Sequence, residues 1–172
     1  MIEVKELRFR YQTDAPEVLH GLSFAIQPGE VFGFLGPSGA GKSTTQNILI
    51  RLLKGYQGRI EVLGKPLPEW GNDLYEQVGV SFELPNHYLK LSARENLRYF
   101  AALYQANTLP VEAVLESVGL LAAADQRVAN FSKGMKNRLS VARALLHQPD
   151  LLFMDEPTSG LDPVSTKRIK EL

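Results

Sequence analysis

At 172 residues, with 44% hydrophobic and 22% charged side chains, the chain has the length and balance of a globular domain with a real core, or of part of a larger one. Lysine plus arginine number 19 and aspartate plus glutamate 19, so no net field draws it to nucleic acid or to an anionic membrane. The absence of cysteine excludes disulfides, thiol catalysis and cysteine-ligated metals. Residues 2–10, IEVKELRFR, alternate loosely and predict a first strand. Asp14 and Pro16 mark a turn, and residues 18–26 predict a second strand. Pro28-Gly29 separates it from residues 31–35, a short apolar run with the pattern of a buried strand. Two edge-like strands before a buried one predict a small antiparallel sheet beside a parallel α/β core.

A helix is expected over 42–53, strands over 58–65 and 79–82, and then the character changes. Ser92 with Glu95 three positions later has the spacing of a capping box, ahead of a helix running to about residue 106. Pro110 opens another over VEAVLESVG, stopped by Gly119, and 134–147 gives a third with Leu139, Ala142, Leu145 and Leu146 on its apolar face. Leu151 to Met154, four apolar residues in a row, predict a fully buried parallel strand, and a last helix begins near Pro163. His20, His87 and His147 lie far apart and read as structural or exposed rather than as a metal site. No apolar run reaches the roughly 18–20 residues that span a bilayer, and no signal-peptide pattern opens the chain. Membrane association is therefore expected only through a partner.

Residues 36–44, Gly36-Pro37-Ser38-Gly39-Ala40-Gly41-Lys42-Ser43-Thr44, match G-x-x-x-x-G-K-[ST] in full, between a predicted strand and a predicted helix. The glycines let backbone N–H groups converge on phosphate oxygens, and the helix N-terminus adds unpaired donors and a favourable dipole. Lys42 is expected to reach the β- and γ-phosphates, Ser43 to ligate Mg²⁺ and Thr44 to touch the α-phosphate. Residues 151–156, LLFMDE, deliver two carboxylates at the C-terminal end of an apolar strand, where ligands bind in open parallel sheets. Asp155 is the expected Mg²⁺ anchor, directly or through a water, and Glu156 the expected general base.

Residues 131–145, FSKGMKNRLSVARAL, resemble the signature of the ATP-binding cassette (ABC) ATPases, with Phe131, Ser132, Lys133, Gly134 and Met135 in the five signature positions. Ser159-Gly160-Leu161-Asp162 resembles the D-loop of the same family, and with the phosphate loop these motifs cover essentially the whole chain in order. The resemblance implies an α/β fold of the ABC type of P-loop NTPase: a mixed core sheet, an N-terminal antiparallel β subdomain and a helical subdomain insertion. Residues 1–83 would form the ATP-binding core with its β subdomain, 84–133 the helical subdomain, and 134–172 the signature helix, the acidic strand and the D-loop. It implies two ATP molecules and their Mg²⁺ ions between two such subunits set head to tail, Ser132, Lys133, Gly134 and Asp162 serving the nucleotide. Tyr11 would stack on adenine and Val18 line the ribose side.

Two departures stand out. Where the family ordinarily carries a glutamine that meets Mg²⁺ and the attacking water, this sequence has Glu83, and Lys133 is a candidate to offset its charge. The family's switch histidine has no counterpart after His147. The strand that precedes it in the family would lie between the strand leading to Gly36 and the one leading to Asp155, so the last core strands are expected to be missing. The resemblance points to the ATPase subunit of a prokaryotic transporter of the export type. An integral membrane permease is the expected partner, docked around residues 84–106 with Pro85, Tyr88 and Leu89, and would hold the subunit at the cytoplasmic face of the membrane. No nucleic-acid partner is expected. The alternatives are a soluble ABC ATPase acting on ribosomes or DNA, and a truncated remnant that binds nucleotide without hydrolysis.

Overall fold

The first strand explains why its sequence alternates only loosely. β1 (Ile2–Phe9) buries Ile2 and Val4, then Leu7 and Phe9, so the inward phase slips by one residue in mid-strand. The slip is a bulge, with Glu6 at φ 51° and register shifts against both neighbouring strands. The structure, a computed structural model, describes residues 1–82 and 86–155, which divide into a unit of Met1–Leu74 and a second that begins at Tyr75.

In the first unit β1 pairs antiparallel with β2 (Leu19–Ile26), Ile2 opposite Ile26 and Phe9 opposite Leu19. After α1 (Lys42–Leu49), β3 (Gln57–Val62) takes the other side of β1, Ile2 opposite Val62. β4 (Lys65–Pro66) returns through Leu63 and Gly64, whose φ values of 52° and 77° suit the tight turn that twisted strands prefer. The sheet order is β2-β1-β3-β4, so the single strand expected over 58–65 is in fact a small hairpin. Ile48 and Leu49 of α1 are fully buried, as are Ile60 and Val62. Each such side chain stabilises the unit by about 1.5–3 kcal/mol. α1 stops short of the expected residue 53. Arg51, at φ 61°, turns the chain so that its N–H bonds the Ile48 carbonyl and that of Leu52 the Asn47 carbonyl, closing the last turn.

Residues 31–35 do not form the buried strand expected of them. They carry no regular secondary structure, and Val31 and Leu35 are 100% and 97% exposed. Alternation survives on one side only: Phe32 and Phe34 pack on Phe24 of β2, at ring separations of 5.3 and 5.4 Å. A strand needs a neighbour to satisfy its amides. None of the described residues pairs with this run, so the Val31 and Leu35 side stays in water.

The second unit begins with the rest of the short turn α2 (Leu74–Gln77) and β5 (Val78–Ser81). β5 runs parallel to β6 (Leu151–Met154), Val78 opposite Leu151 and Ser81 opposite Met154. Only Phe153 of β6 is buried, whereas Met154 is exposed, so the strand is less enclosed than its unbroken apolar run implies. Between these strands lie α3 (Ala93–Ala101), α4 (Val111–Ser117) and α5 (Lys133–Leu145). Their shared core joins Leu97, Val114, Leu115, Phe131, Leu139 and Val141. Ser92 caps α3 with the reciprocal pair expected of it: the Glu95 N–H bonds the Ser92 hydroxyl and the Ser92 N–H the Glu95 carboxylate. α3 ends at Ala101, before the expected residue 106, and Pro110 is the cap of α4 rather than its first helical residue. Among the described residues no helix is long and apolar enough to cross a membrane.

Candidate functional site

In the first unit the phosphate-loop residues turn directly into α1. Gly41 stands at its N-cap with φ 87°, a left-handed conformation open to glycine at little cost. A Cβ there would also fall 2.5 Å from Leu19 Cδ2, so the loop is pressed onto the start of β2, beside Val18. Gly41 has no side chain to cap the helix, and the first turn carries no acidic residue. The leading N–H groups of α1 therefore face an end that favours an anion. Lys42 Nζ donates to the Gly36 carbonyl at 2.8 Å and to that of Pro37 at 2.9 Å, which folds the ammonium back over the loop. Ser38, Gly39 and Ala40 are exposed along the turn, as is Ser43. Thr44 is buried and its hydroxyl is hydrogen-bonded to that of Tyr11 at 3.0 Å. Tyr11, 57% exposed, meets Phe9 edge-on at 5.1 Å. The unit thus brings Tyr11, Val18 and residues 36–44 together. A glycine-lined turn, an uncapped helix end and a lysine over the loop fit a triphosphate.

In the second unit, Ser132 is the N-cap of α5, its hydroxyl accepting from the Met135 N–H at 3.2 Å. Ser132 and Lys133 are exposed, and no acidic residue occupies the first turn, so beyond the Ser132 cap the dipole of this helix end still favours an anion. Asp155 follows β6 directly, and its N–H bonds the Ser81 carbonyl at 2.9 Å, extending the β5–β6 ladder by one rung. That rung fixes the backbone from which the carboxylate projects. Ser43 and Asp155 each offer oxygen of the kind magnesium takes. Glu83, Glu156 and Asp162 lie outside the described residues, as does Pro85.

Two features escape a reading of the sequence. His87 is structural, with partners the sequence does not name: its Nε2 bonds the Lys136 carbonyl at 2.9 Å and lies 3.2 Å from the Ser140 hydroxyl, tying residues 86–88 to α5. Arg143 of α5 adds a bond to the Asn86 carbonyl at 2.9 Å and covers the Phe100 ring. Burial holds His87 below the usual histidine range, with the charges of Arg143 and Lys136 adding to it, against the carbonyl bond. The second feature is an exposed aromatic patch. Tyr88 and Tyr99 meet at 4.8 Å, with Leu89 and Leu103 also exposed. Tyr99 and Leu103 lie within the same 84–106 segment, beyond the Tyr88 and Leu89 that the sequence brings forward.

A family model described as ABC transporter matches residues 19–159. A fluoroquinolones export ATP-binding protein of Mycobacterium tuberculosis is 52% identical over all 172 residues, and the chain spans 57% of its length. The bacitracin transport ATP-binding protein BcrA of Bacillus licheniformis is 42% identical over 88% of the chain and 50% of its own length. A dimeric ATP-binding cassette solved in a post-hydrolysis state with ADP and Pi superimposes with a TM-score of 0.85 at 25% identity, covering 99% of this chain and 80% of that one. With its glycine loop set on α1 and its capped signature helix, the chain has the P-loop NTPase fold and belongs to the ABC transporter family.

Proposed function

We propose that this chain is the nucleotide-binding portion of an ATP-driven export ATPase, and that the whole protein hydrolyses Mg-ATP in a head-to-tail dimer to drive a membrane permease. The observation that carries the reading is the glycine loop at the uncapped start of α1, with Lys42 folded over it. Lys42 exchanges the Gly36 and Pro37 carbonyls for β- and γ-phosphate oxygens, Ser43 offers its hydroxyl to magnesium, and Thr44 donates to the α-phosphate. Asp155 supplies a carboxylate for the metal and Glu156 is the base for the attacking water, with Glu83 a further oxygen ligand. The ion, when bound, neutralises charge that builds on the phosphates. Ser132, Lys133 and Gly134, at the N-terminal end of α5, serve the nucleotide of the opposing subunit, as does Asp162.

Dimer formation is supported by the dimeric cassette with ADP and Pi, transport by the names of both relatives and export by that of the Mycobacterium tuberculosis one. The patch of Tyr88, Leu89, Tyr99 and Leu103 is the surface offered to the permease, which would keep the protein at the cytoplasmic face of the membrane. The balanced charge gives nucleic acid no general attraction.

Titration of a fluorescent ATP analogue tests the reading. Wild-type chain binds it with magnesium present, and Lys42→Ala binds about tenfold or more weakly, the loss of a charge-assisted contact. Equal affinities would sink the assignment.

A further inference from the structure

The Tyr11 and Thr44 hydroxyls are each other's hydrogen-bond partners, and the bond crosses the site itself. Tyr11 reaches it from the loop after β1, its ring braced edge-on by Phe9. Thr44 reaches it from the first turn of α1, where it is only 7% exposed. Thr44 is the hydroxyl that the nucleotide reading gives to the α-phosphate, and Tyr11 is the ring that it gives to the base. When the Thr44 O–H donates to Tyr11 it is not free for a phosphate, and in either direction the bond ties the Tyr11 hydroxyl to α1. A Thr44 hydroxyl held by Tyr11 is shared with a competing partner, and the Tyr11 ring is tethered through its hydroxyl to the first turn of α1. Lys42 is engaged in the same way by the Gly36 and Pro37 carbonyls. Lys42 and Thr44, the two side chains that the reading sets on the β/γ- and α-phosphates, are thus each already engaged within the chain.

We infer that the Tyr11 hydroxyl is an affinity-setting latch: nucleotide seats only when it releases Thr44, so the same residue both holds the base and holds the site back. The inference rests on the nucleotide reading above and adds to it a role for one oxygen atom. Binding to a chain whose receptive form is only part of the population is weakened by that fraction. A neutral hydrogen bond of ordinary net strength sets the fraction at about one half to one tenth.

The test is rapid-mixing and equilibrium binding of a fluorescent ATP analogue with magnesium, using the full 172-residue chain. Tyr11→Phe keeps the ring and removes the latch, so it should bind about two- to tenfold more tightly, with the gain in the association rate. Tyr11→Trp keeps a stacking face without that hydroxyl and should also associate faster, whereas Tyr11→Ala loses stacking and should bind more weakly. In a Thr44→Val background the gain from Tyr11→Phe should vanish, because the partner is gone. Unchanged or weaker binding by Tyr11→Phe, or an equal gain in the Thr44→Val background, overturns the latch while leaving the nucleotide reading intact. No binding by either wild type or Tyr11→Phe removes the nucleotide reading, and the latch with it.

Discussion

A Cβ atom built on Gly79 would lie 2.2 Å from the carbonyl oxygen of Ala144. β5 and the end of α5 therefore pack backbone against backbone, and Leu152 and Pro149 close the same space from the side at 2.9 Å. No rotamer relieves a clash with a carbonyl. Gly79→Ala should destabilise the second unit by about 3 kcal/mol, read as a lower urea midpoint at unchanged slope. Gly33→Ala, with nothing within 4 Å, is the matched control and should stay within about 0.5 kcal/mol. Equal midpoints for the two variants would show that the close approach is not real.

Asn96, 1% exposed, clasps the backbone beneath the exposed Tyr88. Its amide donates to the carbonyls of Tyr88 and Ser92 at 3.0 and 2.8 Å and accepts from the Tyr88 N–H at 2.9 Å. Asn96→Ala leaves the Tyr88 N–H without its partner, while the Tyr88 and Ser92 carbonyls keep the Leu91 and Asn96 N–H groups, and should cost about 1–2 kcal/mol. Amide exchange should speed up first at Tyr88. Protection at Tyr88 equal to wild type would show that the backbone there holds itself.

The two serine caps should differ in what they govern. Ser92 is held by a reciprocal pair, Ser132 by a single bond to the Met135 N–H. Ser92→Ala should lower stability by about 1–2 kcal/mol and Ser132→Ala by about 0.5–1 kcal/mol. Turnover by the whole protein should reverse the order, falling further in Ser132→Ala. Measuring melting and phosphate release side by side separates the two; parallel losses would reduce Ser132 to a cap.

Acidification should weaken the second unit. His87 and His147 are both held below the usual histidine range, chiefly by burial. The unfolded chain then binds protons more readily than the folded one. Their contribution to stability is full above about pH 6.5 and is lost progressively as the pH falls below it towards the lowered folded values. The urea midpoint followed by helical circular dichroism should therefore drop between pH 7.5 and pH 5. His87→Gln should flatten part of that slope; an unchanged slope in it would locate the effect elsewhere.

How much of this was legible depended on whether the signal was local. The Ser92–Glu95 box is written within four residues and appears where its spacing puts it, and the phosphate loop leads into α1 as its motif implies, although no strand directly precedes it. The β1 bulge blurred the alternation, and the left-handed Arg51 ended α1 early without a glycine to announce it. Residues 31–35 were misread because burial belongs to the neighbours of a strand, and none of the described residues supplies one. The links from His87 to Lys136 and from Tyr11 to Thr44 span 49 and 33 residues, a separation that no motif encodes.

The bare flank of residues 31–35 also governs how the chain behaves in a tube. Its amides have no partner among the described residues, and Val31 and Leu35 add apolar side chains that water fully surrounds. Such a flank is an adhesive edge, able to zip onto the same edge of another molecule. Colloidal stability of the isolated chain should therefore fall with concentration well before folding does, and a lysine in place of Val31 should restore solubility without moving the melting point.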